Sequence, residues 1–322
     1  MRRSDRGIST VVDVSMALLL ISASVVMLAV YINDEETARD HEAARADQTA
    51  ELLSSTTVNV TYSLDSLSGP EWRQAKNDVL QTRTDFSSGD YSRTTHGTSA
   101  ALLAEAAVSK ATIDGQRFTR EGADFVDATS GNVRVVLGNT GVDAYVRAVW
   151  RPYEKSDIEG TVSVGNRPPG DEDVSSSTLV VPSGMPPIED ERVREVYLNA
   201  GYDGLATVIA NRVVEGYFPP VSTQHALESN GINRALAVYR YRRAETVLGF
   251  NGYRTTDVPL LTSSVISSSG ANARAANSRI TASLARNIEA NLRDEYGDDV
   301  TADELANDVS TGDVRIVVQT WT

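Results

Sequence analysis

The sequence predicts an α+β protein in three parts: an N-terminal transmembrane helix, a polar helical extension, and an outer domain with a small antiparallel sheet and several helices. Three observations carry this. Thr10 to Ile32, TVVDVSMALLLISASVVMLAVYI, holds a single charge, Asp13. At about 1.5 Å per residue a helix of that length spans the roughly 30 Å of a bilayer core. Short β-branched runs with period-two alternation, bounded by Gly, Pro and Asn, recur between residues 56 and 182 and again near 314–318. From Pro187 onward the period changes to that of helices, and Ala276, Ile280, Leu284, Ile288 and Leu292 stand at strict i, i+4 spacing.

The flanks of the apolar run set its orientation. Arg2, Arg3 and Arg6 precede it, and Asp34, Glu35, Glu36 and Asp40 follow it. Arginine excess marks the cytoplasmic side. Residues 1–9 are therefore read as a basic cytoplasmic leader, 10–32 as the membrane span, 33–55 as a helical stalk, and 56–322 as an extracytoplasmic α+β domain. The rival is a removed signal peptide. Such a peptide has an apolar stretch of only about 7–15 residues and a small-residue cleavage site, whereas this run is longer and ends in Val30-Tyr31-Ile32-Asn33. Tyr31 suits an interfacial anchor.

Composition narrows the classes. The chain has 322 residues, no cysteine, and a formal charge of −14. A disulfide scaffold and any thiolate metal site are excluded. Only Lys76, Lys110 and Lys155 are lysine; the other basic residues are arginine. An acid-rich, lysine-poor surface resembles that of proteins from halophilic archaea. No basic face is evident, which argues against a nucleic-acid partner.

Taken in order, Asp34 to Ser55 is rich in Glu, Ala, Arg, Asp and Gln without a wide apolar stripe, which reads as a solvated stalk. Thr56–Leu64 is a strand, and Asn59-Val60-Thr61 fits the N-glycosylation sequon, a triplet that also arises by chance. Pro70–Leu80 is a short helix with proline in its first turn. Thr98–Ile113 is a buried helix, opened by Thr98 or Ser99 and ended by Asp114-Gly115. Asn132–Leu137 and Ala144–Trp150 alternate on either side of Gly138-Asn139-Thr140-Gly141 and predict a hairpin. Gly160–Val164 and Thr178–Val181 complete a sheet over residues 130–182. Glu189–Leu198, Tyr202–Tyr217, Val221–Leu248 (split by Asn230-Gly231) and Asn272–Tyr296 are helices, the last capped by Gly297. Thr301-Ala302-Asp303-Glu304 fits a capping box. Val314, Ile316 and Val318 form a closing edge strand.

Motifs for chemistry are few. His41, His96 and His225 are scattered without metal-ligand spacing. The chain carries no nucleophile elbow, phosphate-binding glycine loop or dinucleotide fingerprint. Asp298, Asp299, Asp303 and Glu304 lack the spacing of an EF-hand and read as a solvated helix start. No cofactor is expected. Tyr239-Arg240-Tyr241-Arg242-Arg243 is the one basic, aromatic cluster; it fits either a docking surface for an acidic partner or internal pairing with carboxylates.

One resemblance is carried by Arg6-Gly7-Ile8-Ser9-Thr10-Val11-Val12-Asp13 and the apolar helix behind it. This start resembles the class III leader of archaeal type IV pilin-like proteins and that of Tad-type pseudopilins. The resemblance implies removal of the leader by a prepilin-type peptidase after Gly7, leaving Ile8 at the N-terminus, and packing of the helix with other pilin-like subunits. The acid that bacterial members carry at the fifth mature position falls sixth here, at Asp13. The expectation is thus an N-in, single-pass envelope protein, pilin-like or associated with a pilus or secretion system. The alternatives are a membrane-anchored enzyme such as a hydrolase, and an anchored ligand-binding domain. The charge carries one prediction. Screening shortens the Debye length from about 30 Å at 0.01 M salt to about 3 Å at 1 M, so dialysis from molar salt into dilute buffer will lower the melting temperature, read by circular dichroism.

Overall fold

The computed structural model describes residues 44–80, 85–119, 122–250 and 270–321. Gly7, Ile8, Asp13, Tyr31 and His41 lie outside the described residues, as does the whole apolar run. Among the described residues no helix is long and apolar enough to cross a membrane. The fold is α+β.

The first described helix, α1, covers 44–55. The expected stalk would leave it solvated on all sides, but Ala46, Thr49, Ala50 and Leu53 are buried at i, i+3, i+4, i+7 spacing. Alanine makes a stripe too narrow and too weakly apolar to stand out in the sequence, yet narrow enough for close packing. The folded unit therefore begins upstream of residue 56. Strand β1 (Thr57–Ser63) pairs antiparallel with β2 (Ser92–Thr98). Between them lie helix α2 (Pro70–Val79), with proline in its first turn, and the single turn α3 (Ser88–Tyr91).

Helix α4 (Ser99–Ser109) follows at once, its N-cap Thr98 accepting a hydrogen bond from the Ala101 amide at 3.1 Å. It stops four residues short of the expected end. Asp114 and Gly115, both at positive φ (48° and 72°), make the two-residue turn of a small hairpin, β3 (Thr112–Ile113) and β4 (Gln116–Arg117).

The predicted hairpin from Asn132 is corrected: residues 123–138 are a helix, α5 (Ala123–Gly138). Val133, Val135 and Leu137 do alternate, but Phe125, Val126, Thr129, Val133 and Leu137 are the buried set, spaced by three and four, and Val135 points out at 65% exposure. The longer period decides, because the helix buries one continuous stripe.

The main sheet runs β6 (Gly160–Gly165), β5 (Asp143–Trp150), β8 (Asp313–Trp321), β7 (Ser175–Pro182), all antiparallel. The closing strand β8 is thus interior, not an edge. Its alternation reports one buried face and carries no information about partners on either side. Val146, Ala148, Trp150, Val162, Val164, Val314, Ile316 and Val318 form that buried face, and α4 lies against all four strands.

The helical half holds α6 (Asp190–Tyr217), kinked at Gly201, then α7 (Pro220–Glu228) and α8 (Ile232–Phe250) on either side of the expected break, α9 (Ala273–Tyr296) and α10 (Ala302–Asp308). The α9 stripe predicted from spacing is buried throughout and packs mainly on α6. Gly297 caps α9 at φ 64°, and the Thr301 side chain accepts from the Glu304 amide at 3.2 Å, the forward half of the expected capping box.

Two glycines separate the packing from the helix assignment. A Cβ on Gly160 would collide with the Ala107 carbonyl on α4, whereas one on Gly131, within α5, meets nothing. Gly160→Ala will therefore destabilise the chain by about 2–3 kcal/mol through forced separation of sheet and helix. Gly131→Ala will stabilise it by about 0.5–1 kcal/mol if 123–138 is helical. Denaturant melts of both variants check the pair.

Candidate functional site

Helix α4 is buried on nearly every side; the stripe it leaves open carries Ala101, Glu105 and Ser109, beside the buried Val108. That stripe forms one wall of a groove. Two adjoining cavities, of about 490 and 740 Å³, share Arg93, Gly216, Tyr217, Leu236 and Arg240. Strand β2 supplies Arg93, the end of α6 supplies Gly216 and Tyr217, and α8 supplies Leu236 and Arg240. The first lobe adds Tyr62, Phe125 and Met185; the second adds Ser222, Thr223, His225, Ser229 and Asn233.

Arg93 stands at the waist between the lobes. Its Nη1 donates to the Asp90 and Ser92 carbonyls at 2.8 and 2.9 Å, and its Nη2 to Asn233 Oδ1 at 3.1 Å. These acceptors are neutral, and none is a carboxylate. Glu105 keeps access to solvent, yet burial in the wall pushes its carboxyl up from the ordinary range. Tyr217 donates its hydroxyl to the Val108 carbonyl at 2.7 Å, and burial raises it far above an ordinary phenol.

A second, smaller cleft of about 360 Å³ lies between α9 and the loop before β6. Asp114, Asp157 and Asp294 face it together with Asn287 and Asn291. Tyr153 donates to Asn291 Oδ1 at 2.6 Å. Asp157 titrates above its ordinary range, chiefly through burial and then through repulsion from Asp114, Glu295 and Asp294. Both polar atoms of the Asn287 amide are buried without a hydrogen-bond partner. Among the described residues no group of three or more His, Asp or Glu is arranged to hold a metal ion.

The residues singled out from the sequence do not converge. Asn59 is exposed on β1, opposite His96 on β2. His225 lines the second lobe of the groove and is exposed. Asp303 pairs with Arg194 at 2.6 Å. The cluster 239–243 is largely internal, the second of the two readings its residues allow. Tyr239 and Tyr241 are buried, and Tyr241 donates to Asn277 Oδ1 at 2.7 Å. Arg243 is buried, pairs with Glu71 at 3.4 Å and donates to the Arg117 carbonyl. Arg242 pairs with Glu245 at 3.4 Å. Of the five residues only Arg240 is exposed, and it belongs to the groove. Arg93 and Glu105 were not singled out. Glu105, one charge inside SAALLAEAAVS, was a usable signal, because an acid in an otherwise buried helix marks its open side. Arg93 left none.

The family profile of DUF7284, described as a family of unknown function, matches residues 12–321. The chain belongs to this family. The match begins inside the apolar run and ends in β8, so the family includes both the run and the folded domain. Comparison with curated proteins and with solved structures finds no match.

The crowded carboxylates of the smaller cleft carry a pH prediction. An acid whose folded-state pKa is raised costs stability in full above that value; the cost shrinks as pH falls from it and is gone below the unfolded pKa. Asp157→Asn will therefore raise the melting temperature at pH 7.5, and the difference from the unsubstituted chain will shrink toward pH 4. Thermal melts at the two pH values check the sign.

Proposed function

We propose that this chain is a single-pass, N-in membrane protein of the cell envelope, a pilin-like or pilus- or secretion-associated structural component. The observation that carries the reading is α1. Only residues 33–43 separate the apolar run from a helix whose Ala46, Ala50 and Leu53 are locked into the folded domain. A tethered enzyme needs only a loose linker. A subunit that bears load needs its anchor joined closely to its body, and burial of α1 from Ala46 onward supports that reading.

The leader resemblance fits the same reading. Arg2, Arg3 and Arg6 hold the leader at an anionic inner surface, each contributing about 1 kcal/mol. Glycine at position 7 is a poor helix former just before the apolar run. Asp13 within hydrocarbon favours a partner, such as the Ile8 amine of a neighbouring subunit, because an unpaired carboxylate there is costly. The lipid bilayer, a prepilin-type peptidase and other pilin-like subunits are the partners this reading names.

Mass spectrometry of the N-terminal peptide from native membranes tests it. The expected result is a mature chain beginning at Ile8, lost in Gly7→Val, with the region after Asn33 digested by protease added to intact cells. A chain that keeps Met1 or Arg2, or an outer region protected until lysis, overturns the reading.

A further inference from the structure

We propose that the groove between α4, β2 and α8 binds an extended acidic peptide segment of a partner protein, with a carboxylate of that segment seated on Arg93. This stands apart from membrane anchoring and does not depend on it.

Arg93 supplies the specificity. Of the five N–H donors of a guanidinium, three are engaged by the Asp90 and Ser92 carbonyls and by Asn233 Oδ1. Nε is among the two that remain. These contacts fix the plane of the group and leave its charge without a carboxylate among the described residues. In a chain of net charge −14, Arg151, Arg194, Arg243 and Arg293 each pair with an acid. An arginine held in place by neutral acceptors at the waist of a groove is preset for a bidentate carboxylate from outside.

The lobes select the rest of the ligand. Beyond Arg93 the first lobe offers Met185, Leu236 and the Tyr62–Phe125 pair, whose rings pack on each other 5.2 Å apart at a tilt of 55°. With Met185 and Leu236 these rings make a pocket for an aliphatic side chain. The second lobe offers Ser222, Thr223, Ser229 and Asn233: Ser222 and Ser229 donate to the Pro219 and Ala226 carbonyls and keep acceptor lone pairs for backbone amides, and Asn233 keeps its Nδ2 for a backbone carbonyl. An apolar residue followed by an acid and a polar stretch fits this order. Glu105 in the first lobe wall repels a second carboxylate there, which sets the direction of the segment.

The test uses the full chain in detergent, at a salt concentration where circular dichroism shows it folded. Two fluorescein-labelled octapeptides serve as probes, one with a leucine followed by glutamates, the other with glutamines in their place. Fluorescence anisotropy should show the glutamate peptide binding about tenfold more tightly, as one charge-assisted bidentate contact predicts. Arg93→Gln should remove the difference, and Glu105→Gln should tighten binding of the glutamate peptide. Ala101→Trp, at the wall of the first lobe, should abolish binding of both. If Arg93→Gln fails to fold, the Glu105 and Ala101 variants decide. Equal binding of the two peptides, discrimination that survives Arg93→Gln, no effect of the Glu105 and Ala101 variants, or displacement of the peptide by trigalacturonate at lower concentration than by unlabelled peptide overturns the proposal.

Discussion

The close approach of α4 to the main sheet is the constraint on which the rest depends. Ala100, Ala104, Ala106 and Ala107 let the helix backbone come near four strands at once, and Gly160 lets β6 reach the Ala107 carbonyl. Dense packing of this kind leaves no room for even one added methyl group. Once α4 is fixed there, its neighbours have little freedom. Strand β2 runs directly into its N-cap, α5 lies along its flank, and the hairpin β3–β4 turns back from its end.

A chain of aromatic contacts carries the packing across to the helical half. Trp150 on the sheet meets Tyr217, Tyr217 meets Phe118 at 4.8 Å, Phe118 meets Phe218, and Phe218 stacks on Tyr241 at 4.5 Å. Their polar atoms are satisfied inside: Trp150 Nε1 donates to the Thr311 carbonyl, and Asn277 receives from Tyr241 while donating to the Phe218 carbonyl. Buried aromatics with satisfied polar tips give both apolar area and a fixed geometry. The groove opens beside this chain because α4 exposes only one stripe and α8 only the Arg240 side of its basic cluster.

The buried Arg243–Glu71 pair joins α8 to α2 and shows why the cluster at 239–243 misleads when read as a surface. Tyr239 and Trp72 meet edge-to-face at 5.8 Å in the same contact. A buried ion pair is a weak source of stability but a strong specifier, since removing one partner strands the other charge. The pair thus sets how α8 lies on α2 more than how tightly.

Much of the fold was legible in the sequence. The i, i+4 stripe of α9, the Asn230-Gly231 break, the Thr98 cap and the strands β1, β5, β6 and β7 follow from local spacing and turn chemistry, which the chain fixes over a few residues. What local pattern could not decide was pairing and depth. Residues 132–137 alternate like a strand within a helix whose period shows only over sixteen residues. Strand β8 becomes interior only because β7 returns to its far side. Helix α1 is buried through alanines too small to announce an apolar face. The groove was still less visible, because Arg93 and Glu105 belong to different elements and acquire meaning only when α4, β2 and α8 meet. Sequence by itself determined most of the elements and the charge of this protein; tertiary structure decided which residues face each other, because contacts between distant segments leave no local period.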